Sequence, residues 1–246
     1  MENPFSYFHI GNFLVIDLIA AGTNALNGAL LARNPSHYRG NYWTIVGILS
    51  LAIFGGIGGG VVRDMLLAKV PHALSNPWYL FVCLAAGTIG MLAAYNRGEQ
   101  FRERAFQLMT AFSLPWYAVV GVQAGIDAQL PIVGAIFLGM VGPTAGRFLI
   151  DIASRQPAKQ FVRGEWFVTT AALTSIVYLI CALPLGLSIW PATLIAFVFG
   201  FAFRVTAVWR GWEEPMPRMP PDLMEDLPER EAFKQKRQEH REGTQQ

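Results

Sequence analysis

The sequence predicts an all-α membrane protein with seven transmembrane helices. Hydrophobic residues make up 53% of the 246 residues and charged residues only 15%, whereas soluble domains carry roughly 25% charged residues. The apolar residues fall into runs of about 20, the length that an α-helix needs to cross a bilayer. This pattern therefore predicts that the protein lies in a lipid bilayer. The small net charge of +2 does not indicate a nucleic-acid partner.

Two of the predicted spans are longer than a bilayer requires. A straight helix over the second span would measure about 42 Å at 1.5 Å per residue, against a hydrocarbon core of about 30 Å. Each long span has a glycine cluster near its midpoint, so we expect a break or kink there. The first span lacks the basic start and cleavage site of a signal peptide and is interpreted as a true span. The seven predicted spans are 13–32, 43–70, 78–96, 106–125, 131–156, 166–183 and 189–208.

The spans form two groups of three with the same outline: a first helix, a long helix with central glycines, and a plain third helix. Because three is odd, the two copies would cross the bilayer in opposite directions, as in inverted-topology repeats. We therefore expect repeats at 13–96 and 106–183 and a separate seventh helix at 189–208. The segment 213–246 is rich in proline and then in charge, and it is interpreted as a disordered tail.

The basic residues outside the two long spans predict the orientation. If the spans are as given above, 16 lysines and arginines fall on one side of the membrane and only Lys69 on the other. Cytoplasmic loops carry the excess of basic residues, so we expect an external N-terminus and a cytoplasmic C-terminus. The 16 are Arg33, Arg39, Arg97, Arg102, Arg104, Arg155, Lys159, Arg163, Arg204, Arg210, Arg218, Arg230, Lys234, Lys236, Arg237 and Arg241.

The glycine cluster of the second span has two interpretations. Gly58, Gly59 and Gly60 precede Arg63 and Asp64. The glycines would loosen the helix at the midplane, so that freed carbonyls bind a cation and helix ends point at a solute. Alternatively they let helices pack closely, because the cluster contains pairs of glycines four residues apart.

The fifth span carries a weaker version of this motif. Gly142 and Arg147 occupy the corresponding positions, and Asp151 follows the arginine by four residues. Side chains four residues apart share a helix face, so Arg147 and Asp151 are able to pair. We expect the second and fifth spans to cross in opposite directions, with Gly58–Gly60 near Gly142.

Charged residues inside spans are costly, so they line cavities or pair with one another. Adjacent helical residues point about 100° apart, so Arg63 and Asp64 are not expected to pair directly, and Asp17 is the candidate partner of Arg63. With an external N-terminus, Arg63 lies in the outer half of the membrane and Arg147 in the inner half, which suits a path with two gates. The alternative is that these side chains snorkel to the interface. Asn24 and Asn27 are expected to hydrogen-bond between helices, and the alternative is that they line a path.

The run 58–67, with Pro71 after it, resembles the signature of the bacterial glycine-transporter-domain family. That family is related to the trimeric intracellular cation (TRIC) channels. The resemblance also includes the start of the first span and the segment 203–212, and it implies two three-helix domains, a seventh helix, a homotrimer and transport. Relatives are described both as potassium-permeable channels and as glycine carriers. The second copy departs from the family pattern, because Phe148 stands where the aspartate is expected.

The sequence contains no nucleophile motif, phosphate-binding loop or pair of catalytic carboxylates, so no enzyme activity, catalytic residue or cofactor is expected. Its four histidines are scattered and form no metal-binding pattern. Cys83 and Cys181 are isolated in apolar runs and are interpreted as packing residues.

Three functions remain as hypotheses. The first is a monovalent-cation channel of the cell membrane, permeable to K⁺, with one path through each protomer. The second is a carrier for glycine or a similar zwitterion, with Arg63 or a helix N-terminus holding the carboxylate. The third is a membrane scaffold without transport. The residues expected to line the path are Gly58, Gly59, Gly60, Arg63, Asp64, Asp17, Gly142, Arg147 and Asp151.

Overall fold

The structure is a computed structural model of the whole chain. It describes residues 12–32, 43–93, 99–154, 158–161, 166–212 and 214. Most of these residues are helical, no β-strand is present among them, and they belong to one compact unit, Met1–Glu214. The predicted tail at 213–246 lies outside the described residues except for Glu214. The helices are α1 Asn12–Ala32, α2 Ile45–Leu66, α3 His72–Ser75, α4 Pro77–Ala93, α5 Glu99–Asp127, α6 Ile132–Ala153, α7 Phe167–Ala182 and α8 Ile189–Trp209, with a 3-10 turn at Lys159–Phe161.

The helices pack as two similar groups. Helix α1 packs on both α2 and α4, and α5 packs in the same way on α6 and α7. The two groups meet through corresponding helices, α1 against α5 and α2 against α6. Helix α8 covers α5 and α7. Because the helices of one group pack on each other in the same way as those of the other, the fold is the one expected of two repeats of a three-helix unit.

The predicted length of the second span was wrong at its C-terminal end. Helix α2 begins after Thr44, whose Oγ1 accepts a hydrogen bond from the Gly47 amide at 3.1 Å. It ends where Ala68 adopts a positive φ of 53° and the Lys69 amide bonds back to the Asp64 carbonyl at 2.9 Å. This is the hydrogen bond of a Schellman motif. The 22-residue helix is about 33 Å long, so no kink is needed to fit it into a bilayer.

The remaining spans were predicted to within a few residues. The fourth, predicted at 106–125, corresponds to the apolar stretch Arg104–Asp127, and helix α5 extends beyond it to Glu99 at its N-terminal end. Helix α6 is a 22-residue helix, shorter than the predicted 131–156. Arg204 was counted among the basic residues of the tail, but it lies within α8 and is buried. The number of basic residues on the predicted cytoplasmic side therefore falls from 16 to 15, still against only Lys69 on the other side, so the predicted orientation is the same.

Within the described ranges, five helices are long and apolar enough to cross a membrane, namely those at Val15–Ala32, Ile45–Leu66, Arg104–Asp127, Ile132–Ala153 and Ile189–Trp209. Helices α4 and α7 are also apolar but have 17 and 16 residues, about 26 and 24 Å. Large apolar side chains lie exposed on the outside of the bundle, among them Phe54, Phe81, Phe137 and Val198. The chain is therefore an all-helical membrane protein.

Candidate functional site

Helices α2 and α6 cross at glycines. A Cβ placed on Gly59 of α2 would overlap the carbonyl oxygen of Gly142 in α6. Gly55, earlier in α2, lies against Ile150, later in α6. As residue numbers rise along α2, the contacts on α6 therefore fall, so the two helices run antiparallel. The second and fifth spans therefore cross at these glycines in opposite directions, as predicted.

The glycines do not interrupt either helix. Helix α2 is continuous from Ile45 to Leu66 and α6 from Ile132 to Ala153, so the predicted break is absent. The three glycines of the motif differ in their surroundings. A Cβ on Gly58 would lie 2.7 Å from the Leu149 side chain, whereas a Cβ on Gly60 would meet only the Arg63 guanidinium at 3.8 Å. Close packing therefore explains Gly59, while Gly60 faces open space.

A cluster of buried charges lies beside Gly60. Arg63 donates through Nε to Asp64 Oδ1 at 2.8 Å and through Nη2 to Asp17 Oδ2 at 3.5 Å. The Tyr79 hydroxyl donates to the same Asp17 oxygen at 2.6 Å. All four side chains are buried. They line a small cavity, which we name the first cavity.

One prediction about this cluster is confirmed and another is wrong. Asp17 is a partner of Arg63, as expected. Arg63 and Asp64, however, form a direct ion pair, because the long arginine side chain bends back far enough to cover the 100° between neighbouring residues. The second Asp64 oxygen accepts hydrogen bonds from the His72 amide at 2.9 Å and faces His72 Nδ1 at 3.0 Å. Asp64 thus also fixes the start of α3.

Tyr117 of α5 also lines the first cavity, and its hydroxyl donates to the Gly56 carbonyl. Its ring is fully buried and lies close to Gly142. The hydrogen bond therefore joins the second helix group to the first beside the glycine crossing. Sequence analysis missed Tyr79 and Tyr117, because an aromatic residue in an apolar run has no pattern that distinguishes it from a core residue.

A second small cavity lies around Arg147. Arg147 Nε donates to Asp151 Oδ1 at 3.0 Å, which confirms the predicted pair, and the guanidinium carbon lies 4.7 Å from the centre of the Phe106 ring. Asn27 Nδ2 donates to Thr110 Oγ1 at 2.7 Å, so the predicted bond between helices is also confirmed. Arg147, Asn27 and Thr110 line this cavity.

The two cavities lie on opposite sides of the crossing. Arg63 follows Gly59 by four residues and Arg147 follows Gly142 by five. Since α2 and α6 are antiparallel, the two arginines extend from the crossing in opposite directions. Five of the nine predicted site residues line one of the cavities: Asp17, Gly60, Arg63, Asp64 and Arg147. Of the other four, Gly58, Gly59 and Gly142 lie at the crossing and Asp151 lies beside Arg147.

Within the described part of the chain, no group of three histidine, cysteine, aspartate or glutamate residues is placed to hold a metal ion. Cys83 and Cys181 are buried free thiols, as predicted. Cys83 packs beside Gly56.

A family model described as glycine transporter matches residues 14–95 and again residues 107–183. The chain belongs to this family. The repeated match begins at residues 14 and 107, so that Asp17 and Thr110 each lie three residues from the start of their copy. Asp17 lines the first cavity with Arg63, and Thr110 lines the second cavity with Arg147.

Two curated relatives carry names that describe only their location. The chain is 21% identical over 203 residues to the UPF0126 inner membrane protein YadS of Escherichia coli (strain K12), a match covering 82% of this chain and 93% of the relative. It is 24% identical over 204 residues to a UPF0126 membrane protein of Vibrio cholerae, covering 82% and 81%.

Two solved structures of TRIC channels share the fold. One, from work on conductance through TRIC cation channels, is 21% identical, with a TM-score of 0.69 over 85% of this chain and 99% of that chain. The other is the TRIC trimeric intracellular cation channel orthologue from Rhodobacter sphaeroides, which is 24% identical, with a TM-score of 0.71 over 81% and 98%. At these identities the likeness establishes a common fold.

Proposed function

We propose that the protein conducts monovalent cations, K⁺ above all, across the cytoplasmic membrane along a path within each protomer. The observation that carries this proposal is the charge of the first cavity. Asp17 and Asp64 supply two carboxylates there against one guanidinium from Arg63 and the imidazole of His72, so carboxylates outnumber the permanently charged cation. A cation path needs oxygen ligands and no uncompensated positive charge, and the fold shared with TRIC cation channels supports this interpretation.

The proposed path joins the two cavities past the crossing of α2 and α6. Between the two arginines, the proposed path passes the hydrogen bond from Tyr117 to the Gly56 carbonyl. An ion would have to pass the tyrosine hydroxyl, so this bond is the proposed gate. The glycines keep the helices close enough for the gate to form.

The proposed topology has seven spans, an external N-terminus and a cytoplasmic C-terminus, with Arg63 in the outer half of the membrane. The two family matches at 14–95 and 107–183 and the antiparallel contact of α2 with α6 support inverted repeats at 13–96 and 106–183. The seventh helix at 189–208 corresponds to α8. We further propose a homotrimer, the assembly named for the Rhodobacter sphaeroides TRIC channel.

Reconstitution tests this function. Purified protein in liposomes should carry K⁺ down a gradient, measured with a potassium-sensitive dye, at a rate far above that of protein-free liposomes. The same preparation should be assayed for uptake of labelled glycine. Potassium flux without glycine uptake supports the channel, and absence of potassium flux contradicts it.

A carrier for glycine or a similar zwitterion is the second candidate function. The observation that favours it is the guanidinium of Arg147, whose two terminal nitrogens have no hydrogen-bond partner within the described structure. Glycine uptake that saturates would support this candidate. A membrane scaffold, the third hypothesis, would give neither flux.

A further inference from the structure

His72 lies between the buried charges of the first cavity and the outside of the protein. It begins α3, the short helix between α2 and α4, and it lines the cavity together with Asp17, Arg63 and Asp64. Its side chain is 51% exposed. The His72 Nδ1 atom lies 3.0 Å from Asp64 Oδ2, and the His72 amide donates to the same oxygen at 2.9 Å. His72 therefore connects the buried charges with the surrounding solution.

The other titratable side chains that line this cavity are buried. Helix α3 packs on α2 and α4, and the groups that share the cavity with His72 come from these two helices and from α1 and α5. In the described structure they are Arg63, Asp64, Tyr79, Asp17 and Tyr117. Lys69, in the turn before α3, is exposed and is not among the lining residues. His72 is thus the half-exposed member of the group, and it exchanges protons with the solution most readily.

The contact with Asp64 determines which nitrogen of the His72 ring takes up a proton. Asp64 Oδ1 accepts a hydrogen bond from Arg63 Nε at 2.8 Å, so Asp64 is the carboxylate of an ion pair. An ionised carboxylate accepts hydrogen bonds and donates none. His72 Nδ1 therefore carries a hydrogen both in the neutral and in the charged ring, and Nε2 is the nitrogen that gains the proton. The contact is kept in both states, and only the charge changes.

A proton on His72 changes the charge balance of the first cavity. With a neutral imidazole, the carboxylates of Asp17 and Asp64 face one cation, Arg63, and the net charge is −1. With an imidazolium, two cations face two carboxylates, and the net charge is zero. The cavity therefore attracts a cation in the first state and not in the second. Histidine takes up a proton between about pH 5 and about pH 8, so ordinary changes of pH interconvert the two states.

We propose that His72 controls cation conduction through the first cavity by taking up one proton from the solution at Nε2. The neutral ring leaves the cavity attractive to a cation, and the charged ring cancels that attraction. Conduction is therefore higher in neutral or alkaline solution and falls as the solution becomes acidic. This inference rests on the proposed cation path and adds the residue that regulates it.

The charge of the cavity is measured first, without any flux. Gly60→Cys, in the background without Cys83 and Cys181, places a thiol beside Arg63 at a partly exposed position. The purified protein is treated with a cationic and with an anionic methanethiosulfonate at about pH 8 and at about pH 5. The ratio of the two reaction rates cancels the pH dependence of the thiol itself. The ratio of the cationic to the anionic rate should fall about tenfold at the lower pH, because one unit charge has been added nearby.

Three variants assign this change to His72. His72→Gln has no titratable ring, so its rate ratio should be the same at both pH values. His72→Arg carries a permanent charge, so its ratio should be low at both. His240→Gln, at a histidine of the predicted tail, is the matched control and should respond to pH as the parent protein does.

Potassium flux into liposomes with the same pH on both sides then tests the effect on conduction. Flux should fall about fivefold from about pH 8 to about pH 5, and His72→Gln should not show this fall. The proposal is overturned if the rate ratio does not change with pH, if it changes equally in His72→Gln, or if flux does not follow it. Absence of potassium flux at every pH would instead contradict the proposed channel, while the rate ratio would still establish the change of charge at His72.

Discussion

Gly59 and Gly142 lie in backbone contact at the crossing of α2 and α6, where even a methyl group on Gly59 would overlap the Gly142 carbonyl. Helices that approach this closely gain dispersion contacts along both backbones, and small residues are what permit the approach in membranes. The first cavity lies on one side of this crossing and the second on the other, so the crossing stands between the two groups of polar residues.

The contact predicts that Gly59→Ala destabilises the protein by about 1–3 kcal/mol, the usual cost of overpacking. Potassium flux should fall together with thermal stability, because the same contact positions both cavities. Gly60→Ala is the matched control, since its Cβ would have open space. Thermal unfolding of the two purified variants, followed by fluorescence, checks this. Equal stability of the two variants would remove the packing role of Gly59.

Tyr117→Phe should raise potassium flux with a small effect on stability. The substitution removes only the hydroxyl that bonds to the Gly56 carbonyl, and one such bond is worth about 1 kcal/mol. Tyr178→Phe serves as the control, because the Tyr178 hydroxyl bonds to Gln123 and lines neither cavity. An unchanged flux in Tyr117→Phe, with the protein folded, would show that this hydrogen bond is not a gate.

Arg63→Gln should be strongly destabilising, by about 3–5 kcal/mol, because it leaves Asp17 and Asp64 buried without their cation. Adding Asp17→Asn to this variant removes one of the two stranded charges and should recover part of the loss. Denaturation of both variants in detergent measures the difference. If the double variant is no more stable than Arg63→Gln, the ion pair between Arg63 and Asp17 does not carry the stability assigned to it.

The orientation can be tested with single cysteines in a background that lacks Cys83 and Cys181. A cysteine at Ser188, at the start of α8, should react with a membrane-impermeant maleimide added outside intact cells. A cysteine at Gln246 should react only after the cells are opened. Labelling of Gln246→Cys from outside would reverse the proposed topology, which follows from the excess of lysine and arginine on one side.

Hydropathy located the helices because a bilayer demands about 20 apolar residues per crossing. It missed the end of α2, because Ala68 closes the helix with a positive φ that alanine seldom adopts and that no change of hydropathy marks. Asp17 could be predicted as a partner of Arg63, since a buried charge needs compensation. The hydroxyl groups of Tyr79 and Tyr117 could not be predicted, because their partners come from other helices.

The glycine motif shows a further limit of the sequence. Five glycines fall between Gly55 and Gly60, and both a broken helix and a close crossing predict such a cluster. The choice depends on the neighbour at each position: Gly59 meets a backbone carbonyl of α6, whereas Gly60 meets open space. The sequence of α2 alone therefore does not show which glycine packs against a neighbour and which faces a cavity, because that depends on where α6 lies.

The central claim is that ions pass through the first cavity, and cysteine block tests it most directly. Gly60→Cys, in the background without Cys83 and Cys181, places a thiol in the space beside Arg63. Treatment of proteoliposomes with a cationic methanethiosulfonate should reduce potassium flux nearly to that of protein-free liposomes. Phe81→Cys, on the exposed outer face of α4, should keep its flux after the same treatment. Undiminished flux after complete modification of Gly60→Cys would contradict a path through this cavity.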